Sequence, residues 1–255
     1  MSILKNEIPI LEFDTEKNAV INPTAENLDL SLPEKCVFAF LGEHIDDYAL
    51  KNNAEKVGEF KTNTKSFPIY VTTYKGEKIA LCLAPLGAAA SAQMLDWLIG
   101  YGVNKIISTG SCGVLDDLPE NAFLVPYKAL RDEGASYHYA PPSRYILINE
   151  TALAVIKETL LECGIKHHEV ITWTTDGFFR ETREMVKYRK EEGCSVVEME
   201  VSALAAVSQF RGAIFGAILF TADSLANIDV YDHRDFGRTS WERALSLCLD
   251  AVINL

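Results

Sequence analysis

Two carboxylates stand close together in Ser195-Val196-Val197-Glu198-Met199-Glu200-Val201, where an apolar run passes directly into a small-residue segment. An acid at the end of a buried strand loses hydration unless a ligand or a protein donor bonds it. Such a pair is therefore either a binding site or a solvated helix start whose acids complement the helix dipole. Gly110-Ser111-Cys112-Gly113 offers backbone N–H groups and a hydroxyl with little bulk, which is what an anion-binding nest needs. It matches neither GxGxxG nor the Walker pattern, and a tight strand-to-helix turn accounts for it equally. Asp176-Gly177-Phe178 and Ala222-Asp223-Ser224 each place an acid just past a strand-like apolar run.

These stretches need elements to position them. Residues 36–41 form an unbroken apolar run, as in a buried strand, and Gly42 ends it. An acidic first turn at Glu43 opens a helix predicted to run to about Val57. Residues 67–74 and 78–84 read as a hairpin, and the alanine-rich 88–99 as a helix. Further strands are predicted at 104–109, 122–129, 168–174 and 214–221, and helices at 150–163, 182–192, 201–211 and 237–253. This alternation implies a layered α/β fold with helices on both faces of a largely parallel sheet. All four chemical stretches then fall at C-terminal strand ends, the edge where open α/β sheets bind ligands.

With 255 residues and 48% hydrophobic content, one domain spanning 1–255 is expected. Residues 1–35, broken by Pro9, Pro23 and Pro33, read as an N-terminal arm on the body or on a neighbouring subunit. A net charge of −12 without a Lys/Arg run argues against nucleic acid or an anionic membrane as partner. The first residues lack the apolar core of a signal peptide, and the run at 212–220 is too short to span a bilayer, so a soluble cytoplasmic protein is expected. Six cysteines without a CxxC pair suit reduced thiols, and no His/Asp/Cys cluster has metal spacing.

Ser-Thr-Gly-Ser-Cys-Gly at 108–113, Asp-Glu-Gly-Ala-Ser-Tyr-His-Tyr at 132–139, Val-Glu-Met-Glu at 197–200 and Thr-Ala-Asp-Ser at 221–224 together resemble the nucleoside phosphorylase family, including uridine and hexameric-type purine nucleoside phosphorylases. The resemblance covers roughly residues 36 to 253. It implies a three-layer phosphorylase/hydrolase-like fold with a central mixed β-sheet flanked by helices. It also implies cleavage of the base–ribose bond through an oxocarbenium-like transition state, by phosphate or, in related nucleosidases, by water. By this likeness Glu200 accepts hydrogen bonds from the ribose hydroxyls and Met199 lines the sugar. Glu198 helps fix the turn and is also a candidate contact for base or sugar, and His138 belongs to the pocket. Asp223 stands where purine-specific members keep the acid that protonates the leaving base, a role worth about 10²–10⁴-fold in rate; a loop or helix N-cap Asp is the plain alternative. Phe178 resembles the aromatic that stacks on the base. Glu181 with Arg183 resembles the Gln/Arg pair that reads uracil, although an exposed first helical turn would look the same. Arg234 or Arg238 would orient Asp223.

The phosphate side departs from the family pattern. Family members hold phosphate with arginines in a glycine-rich loop after the first strand and just before the Gly-Ser/Thr-x-Gly turn. Here the loop is Gly42-Glu43-His44-Ile45-Asp46-Asp47 and the second position is Ser108, a combination that resembles the nucleosidases. Gly42, Gly110, Ser111 and Lys65 are the candidate phosphate contacts, Lys65 as a partial substitute for an arginine lent to a neighbouring subunit. The arm also lacks the histidine a neighbour usually contributes, leaving His44 and His138 as substitutes. The expected activity is phosphorolysis of nucleosides to free base and ribose 1-phosphate, purines favoured over uridine, with inorganic phosphate as co-substrate and no other cofactor. Hydrolysis and non-catalytic nucleoside binding are the alternatives. The resemblance further implies a homo-oligomer, dimer or hexamer, with shared active sites.

Overall fold

A computed structural model describes residues 3–255. Ile3–Leu4 (β1) and Phe13–Asp14 (β2) form a small antiparallel ribbon around a 3-10 turn at Pro9–Leu11. The body comprises β3 (Lys35–Ala39), α1 (His44–Lys51), β4 (Glu55–Lys61), β5 (Ser66–Tyr74), β6 (Glu77–Leu83), α2 (Ala88–Gly100), β7 (Lys105–Val114) and β8 (Phe123–Asp132). It continues with β9 (Tyr145–Leu147), α3 (Glu150–Glu162), β10 (His167–Thr175), α4 (Arg183–Glu191), β11 (Cys194–Glu198), α5 (Val201–Arg211), β12 (Ile214–Ser224) and α6 (Trp241–Ile253).

The central sheet is mixed, with strand order β11-β10-β8-β12-β7-β3-β6-β5-β4 and β9 beside β8. β11 also returns to pair antiparallel with β7, Val197 opposite Gly113, so β7, β12, β8, β10 and β11 close into a ring. Helices cover both faces, giving the three layers expected. Because side chains alternate along a strand, Cys36 and Phe38 of β3 pack with Leu95 and Leu98 of α2 and Leu204 of α5, while Val37 and Ala39 pack with Ile45 of α1 and Leu245 and Leu249 of α6. Each fully buried leucine among these contributes about 2 kcal/mol of hydrophobic stabilisation. No described helix is long and apolar enough to cross a membrane.

Four boundaries differ from those predicted. The helix opening after Glu43 stops at Lys51, Asn53 takes a left-handed φ of +52°, and 55–61 forms the edge strand β4 instead of continuing the helix. β7 runs on through Gly110–Gly113 to Val114, so this stretch is strand and not a strand-to-helix turn; the returning β11 and the parallel β12 hold it extended. β12 likewise includes Asp223. The last helix starts at Trp241 because Gly237 adopts φ +65° where a Cβ would lie 2.8 Å from the Phe220 ring, and a 3-10 turn at Arg238–Ser240 follows. The arm lies on this chain's own body: Phe13 packs edge-on against Phe210 with centroids 6.5 Å apart, and Arg211 Nη1 donates to the Lys17 carbonyl at 2.7 Å.

Candidate active site

β11 ends in a turn built on Glu198. One oxygen accepts from the Thr172 and Thr174 hydroxyls of β10 at 3.0 and 2.6 Å, and the other accepts from the N–H groups of Glu200 and Val201, both at 2.7 Å. The carboxylate thus serves the orphan donors at the start of α5, as a capping side chain does. All four acceptor positions of a carboxylate are occupied. Of the roles expected for Glu198, fixing the turn is the one these bonds fill, and its side chain also reaches the wall of the cavity that Glu200 faces. Burial pushes its pKa up while the four hydrogen bonds pull it down.

Glu200 is placed by the same turn. Its carboxylate accepts from the Gly87 N–H at 2.7 Å, tying the start of α5 to the start of α2. Burial, followed by the neighbouring Glu198 charge, pushes its pKa up to about 8. It faces a cavity of about 100 Å³ lined by Phe40, Leu86, Ser108 to Ser111 of β7, Glu198, Leu219 and the first turn of α5. The opening at Gly110 and Ser111 has a topological cause. β3 ends at Ala39 and Phe40 makes a last ladder bond to the Thr109 carbonyl at 2.8 Å, whereas β7 continues beyond it. Glycine at 110 admits the Phe40 side chain, which would lie 3.2 Å from a Cβ there. Among the described residues, no lysine or arginine lines this cavity.

The end of β12 brings Asp223 into a second cavity of about 300 Å³, lined by Phe178, Phe179, Glu181, Asp223, Leu225 and Tyr231. Phe178 and Phe179 are held by the 3-10 turn after β10, where the Thr175 hydroxyl accepts from the Gly177 N–H at 3.1 Å and Asp176 accepts from the Gly134 N–H at 2.8 Å. Burial, then the Asp223 charge, pushes the Glu181 pKa up to about 7. Burial also raises Asp223, against the opposing pull of Tyr231 and Arg234. Tyr231 itself is pushed up to about 12 by burial and by Asp223. A carboxyl whose proton affinity is raised by burial beside a hydrophobic slot suits general-acid chemistry on a flat ring.

The strands that carry Glu198 and Asp223 both pair with β7. A Cβ on Gly113 would lie 3.1 Å from Val197, next to the Glu198 turn, and 3.4 Å from an Asp223 oxygen. Cys112, buried beside it, has its pKa raised well above the ordinary thiol value by burial and by the charges of both Glu198 and Asp223.

Other predicted site residues lie elsewhere. His138 is corrected: it lines a separate cavity of about 570 Å³ beneath the arm, with Lys17, Trp97, Tyr139 and Arg211, because Tyr139 is drawn to Asp96 at 3.0 Å. Lys65 sits at the exposed β4–β5 turn, away from both cavities of its own chain, with its ammonium 5.3 Å from the Phe67 ring centre. Gly42 forms the left-handed turn before α1, at φ +53° against Trp241, outside the wall of the Glu200 cavity. Arg183 turns away, donating to the Ile228 carbonyl at 3.0 Å and pairing with Asp229 at 3.4 Å, and shares with Glu181 a small side cavity. Arg234, not Arg238, is the arginine acting on Asp223; it donates to the carbonyls of Ala222 at 3.3 Å and Leu118 at 2.9 Å. Met199 is half-buried between the two acids of the turn.

The 132–139 loop is a polar brace. Glu133 accepts from Ser202 of α5 at 2.8 Å, and the buried Arg131 donates to Ser136, Ser143 and the carbonyls of Ala140 and Pro141. Gly87 and Tyr231 were not foreseen. Gly87 carried a signal, a glycine opening a helix with free N–H groups, whereas Tyr231 arrives from a loop whose path no local pattern specifies.

Residues 34–254 match the model of the Phosphorylase superfamily. A purine nucleoside phosphorylase of the DeoD type from Chromobacterium violaceum is 26% identical over 200 residues, covering 77% of this chain and 84% of that protein. The fold is shared with a uridine phosphorylase from Vibrio fischeri (TM-score 0.77, 21% identity, 89% of this chain and 95% of that one). It is shared too with an AMP nucleosidase from Bacteroides thetaiotaomicron (TM-score 0.70, 22% identity, 88% and 89%). A family match over nearly the whole chain, on a mixed sheet whose strand ends carry the Glu198–Glu200 turn and Asp223, means that the chain belongs to the Phosphorylase superfamily of nucleoside phosphorylases and nucleosidases.

Proposed function

We propose that the protein cleaves the N-glycosidic bond of purine nucleosides by phosphorolysis, with inorganic phosphate as co-substrate and free base and ribose 1-phosphate as products. The observation that carries the reading is the pair of cavities at neighbouring strand ends, one holding Glu200 and the other holding Asp223 with Phe178 and Tyr231. The ribose hydroxyls donate to Glu200, and the base lies against Phe178. As the C1′–N9 bond breaks, its electron pair goes to the base and Asp223 delivers a proton to N7, while an oxygen of phosphate forms the new bond to C1′. In its ionised form, Glu200 beside the sugar favours the developing positive charge.

Phosphate would be received at Gly110 and Ser111, with Lys65 supplied from the exposed turn of a neighbouring subunit in a homo-oligomer. One observation favours hydrolysis instead: the wall of the Glu200 cavity has no lysine or arginine among the described residues to balance a phosphate dianion. Release of base from adenosine, inosine and uridine, measured with and without phosphate, separates the two. Phosphate-dependent formation of ribose 1-phosphate from purine nucleosides is expected. Equal turnover to free ribose without phosphate would establish hydrolysis, and preferred turnover of uridine would refute the purine assignment.

A further inference from the structure

The walls of the Asp223 cavity hold three hydrogen-bonding side chains, those of Asp223, Glu181 and Tyr231; the others are Phe178, Phe179 and Leu225. Tyr231 lies against Asp223, whose charge it feels, so its one hydroxyl proton is directed at that acid. Of the two arginines flanking Glu181 in sequence, Arg183 is committed to the Ile228 carbonyl and Asp229, and Arg180 is exposed and lines no wall of this cavity. Glu181 makes no hydrogen bond among the described residues, yet it is near enough to Asp223 to be influenced by its charge. The cavity therefore offers acceptors side by side and no spare donor.

From this arrangement, we propose that Glu181 makes the pocket select 6-aminopurine over 6-oxopurine nucleosides. The inference rests on the purine reading above. With Asp223 at N7, the adjoining group on that edge of a purine is the substituent on C6, within reach of an acid beside Asp223. An amino group donates to the Glu181 carboxylate. An oxo group at the same place sets acceptor against acceptor, and a polar group left buried and unpaired is a strong basis for rejection.

Protonation of Glu181 reverses part of this, because a neutral carboxyl has one O–H to donate to an oxo group. The groups facing Glu181 are Asp223 from β12 and Tyr231 from the following loop, with Arg183 at the start of α4 held aside by Asp229. Asp223 raises the proton affinity of Glu181 but acts on both substrates alike, so its own titration cancels in their ratio. Discrimination grows as pH rises through the titration of Glu181 near 7.

The test compares kcat/KM for adenosine and inosine, with phosphate present, from about one unit below to about one unit above that pH, in the wild type and Glu181→Gln. Calorimetric binding of adenine and hypoxanthine accompanies it. The wild type should favour adenosine, the ratio rising with pH to about tenfold or more. In Glu181→Gln, whose amide both donates and accepts, the ratio should fall about tenfold and lose its pH dependence. A preference for inosine at high pH, or a ratio indifferent to both pH and Glu181→Gln, overturns the proposal. If neither nucleoside is cleaved under any condition, the parent reading fails, and calorimetry still decides the role of Glu181. Tighter binding of adenine that Glu181→Gln equalises supports the proposal; equal or absent binding overturns it.

Discussion

Replacing Glu198 by alanine removes the acceptor for four donors at once: the Thr172 and Thr174 hydroxyls and the Glu200 and Val201 N–H groups. Hydroxyl protons can rotate toward other acceptors, but the two backbone N–H groups point into the void and cannot. Each buried donor left unpaired costs about 1–3 kcal/mol, so the pair costs about 2–6 kcal/mol. Losing a carboxylate that burial disfavours returns part of that, since its pKa is raised despite four hydrogen bonds. A net loss of about 3 kcal/mol is expected, which in a chain of this size lowers Tm by about 6–12 °C. Glu198→Gln should cost only about 1 kcal/mol, because its carbonyl can accept both N–H groups while its amide donates to the two threonine oxygens. Thermal unfolding followed by circular dichroism, with urea titration alongside, measures both variants. A loss within about 1 kcal/mol for Glu198→Ala, or a greater loss for Glu198→Gln than for Glu198→Ala, would refute the assignment of Glu198 to the frame of the turn.

Other outcomes follow from the neighbouring groups. Glu200, with a folded pKa near 8, holds its proton more tightly than in the unfolded chain, so its contribution to stability is full below the unfolded value and is lost as pH rises through 8. Glu200→Gln should therefore flatten the fall of Tm between acid and mildly alkaline pH, by at most about 1.4 kcal/mol per unit, and weaken riboside binding; an unchanged slope contradicts the burial account. Asp223→Ala should slow purine nucleosides by about 10²–10⁴-fold and uridine far less, and equal losses would remove its acid role. Lys65→Ala should raise the KM for phosphate without changing that for the nucleoside, whereas identical phosphate kinetics would exclude Lys65 from the site.

The strand ends were legible because β3 and β12 carry apolar runs buried on both faces, β7 and β10 carry buried β-branched residues, and acids following such runs stand out. β4 was hidden: Glu55, Lys56, Glu59 and Lys61 on an edge strand resemble the polar side of a helix, and only its pairing with β5 makes it extended. The Gly110–Gly113 segment was misjudged for a related reason, since its extension depends on β11, whose sequence lies far downstream. Two acids separated by one methionine gave no hint that one faces inward to cap a helix and the other faces a cavity. Where His138 and Lys65 lie is set by the packing of the arm and the length of a hairpin, which local pattern does not encode.

The return of β11 to β7 gives the strands carrying Glu198 and Asp223 no free edge. The spacing between the Glu198–Glu200 turn and Asp223 is consequently fixed by ladder register, and a one-residue slip in either strand would turn its acid to the opposite face. Divergence in what the site accepts is then channelled into the segments that hang outside the ring, Phe178 to Glu181 and Leu225 to Tyr231, where insertions and substitutions leave the ladder intact. A scaffold of this kind can change what the Asp223 cavity accepts while the Glu200 turn stays in place.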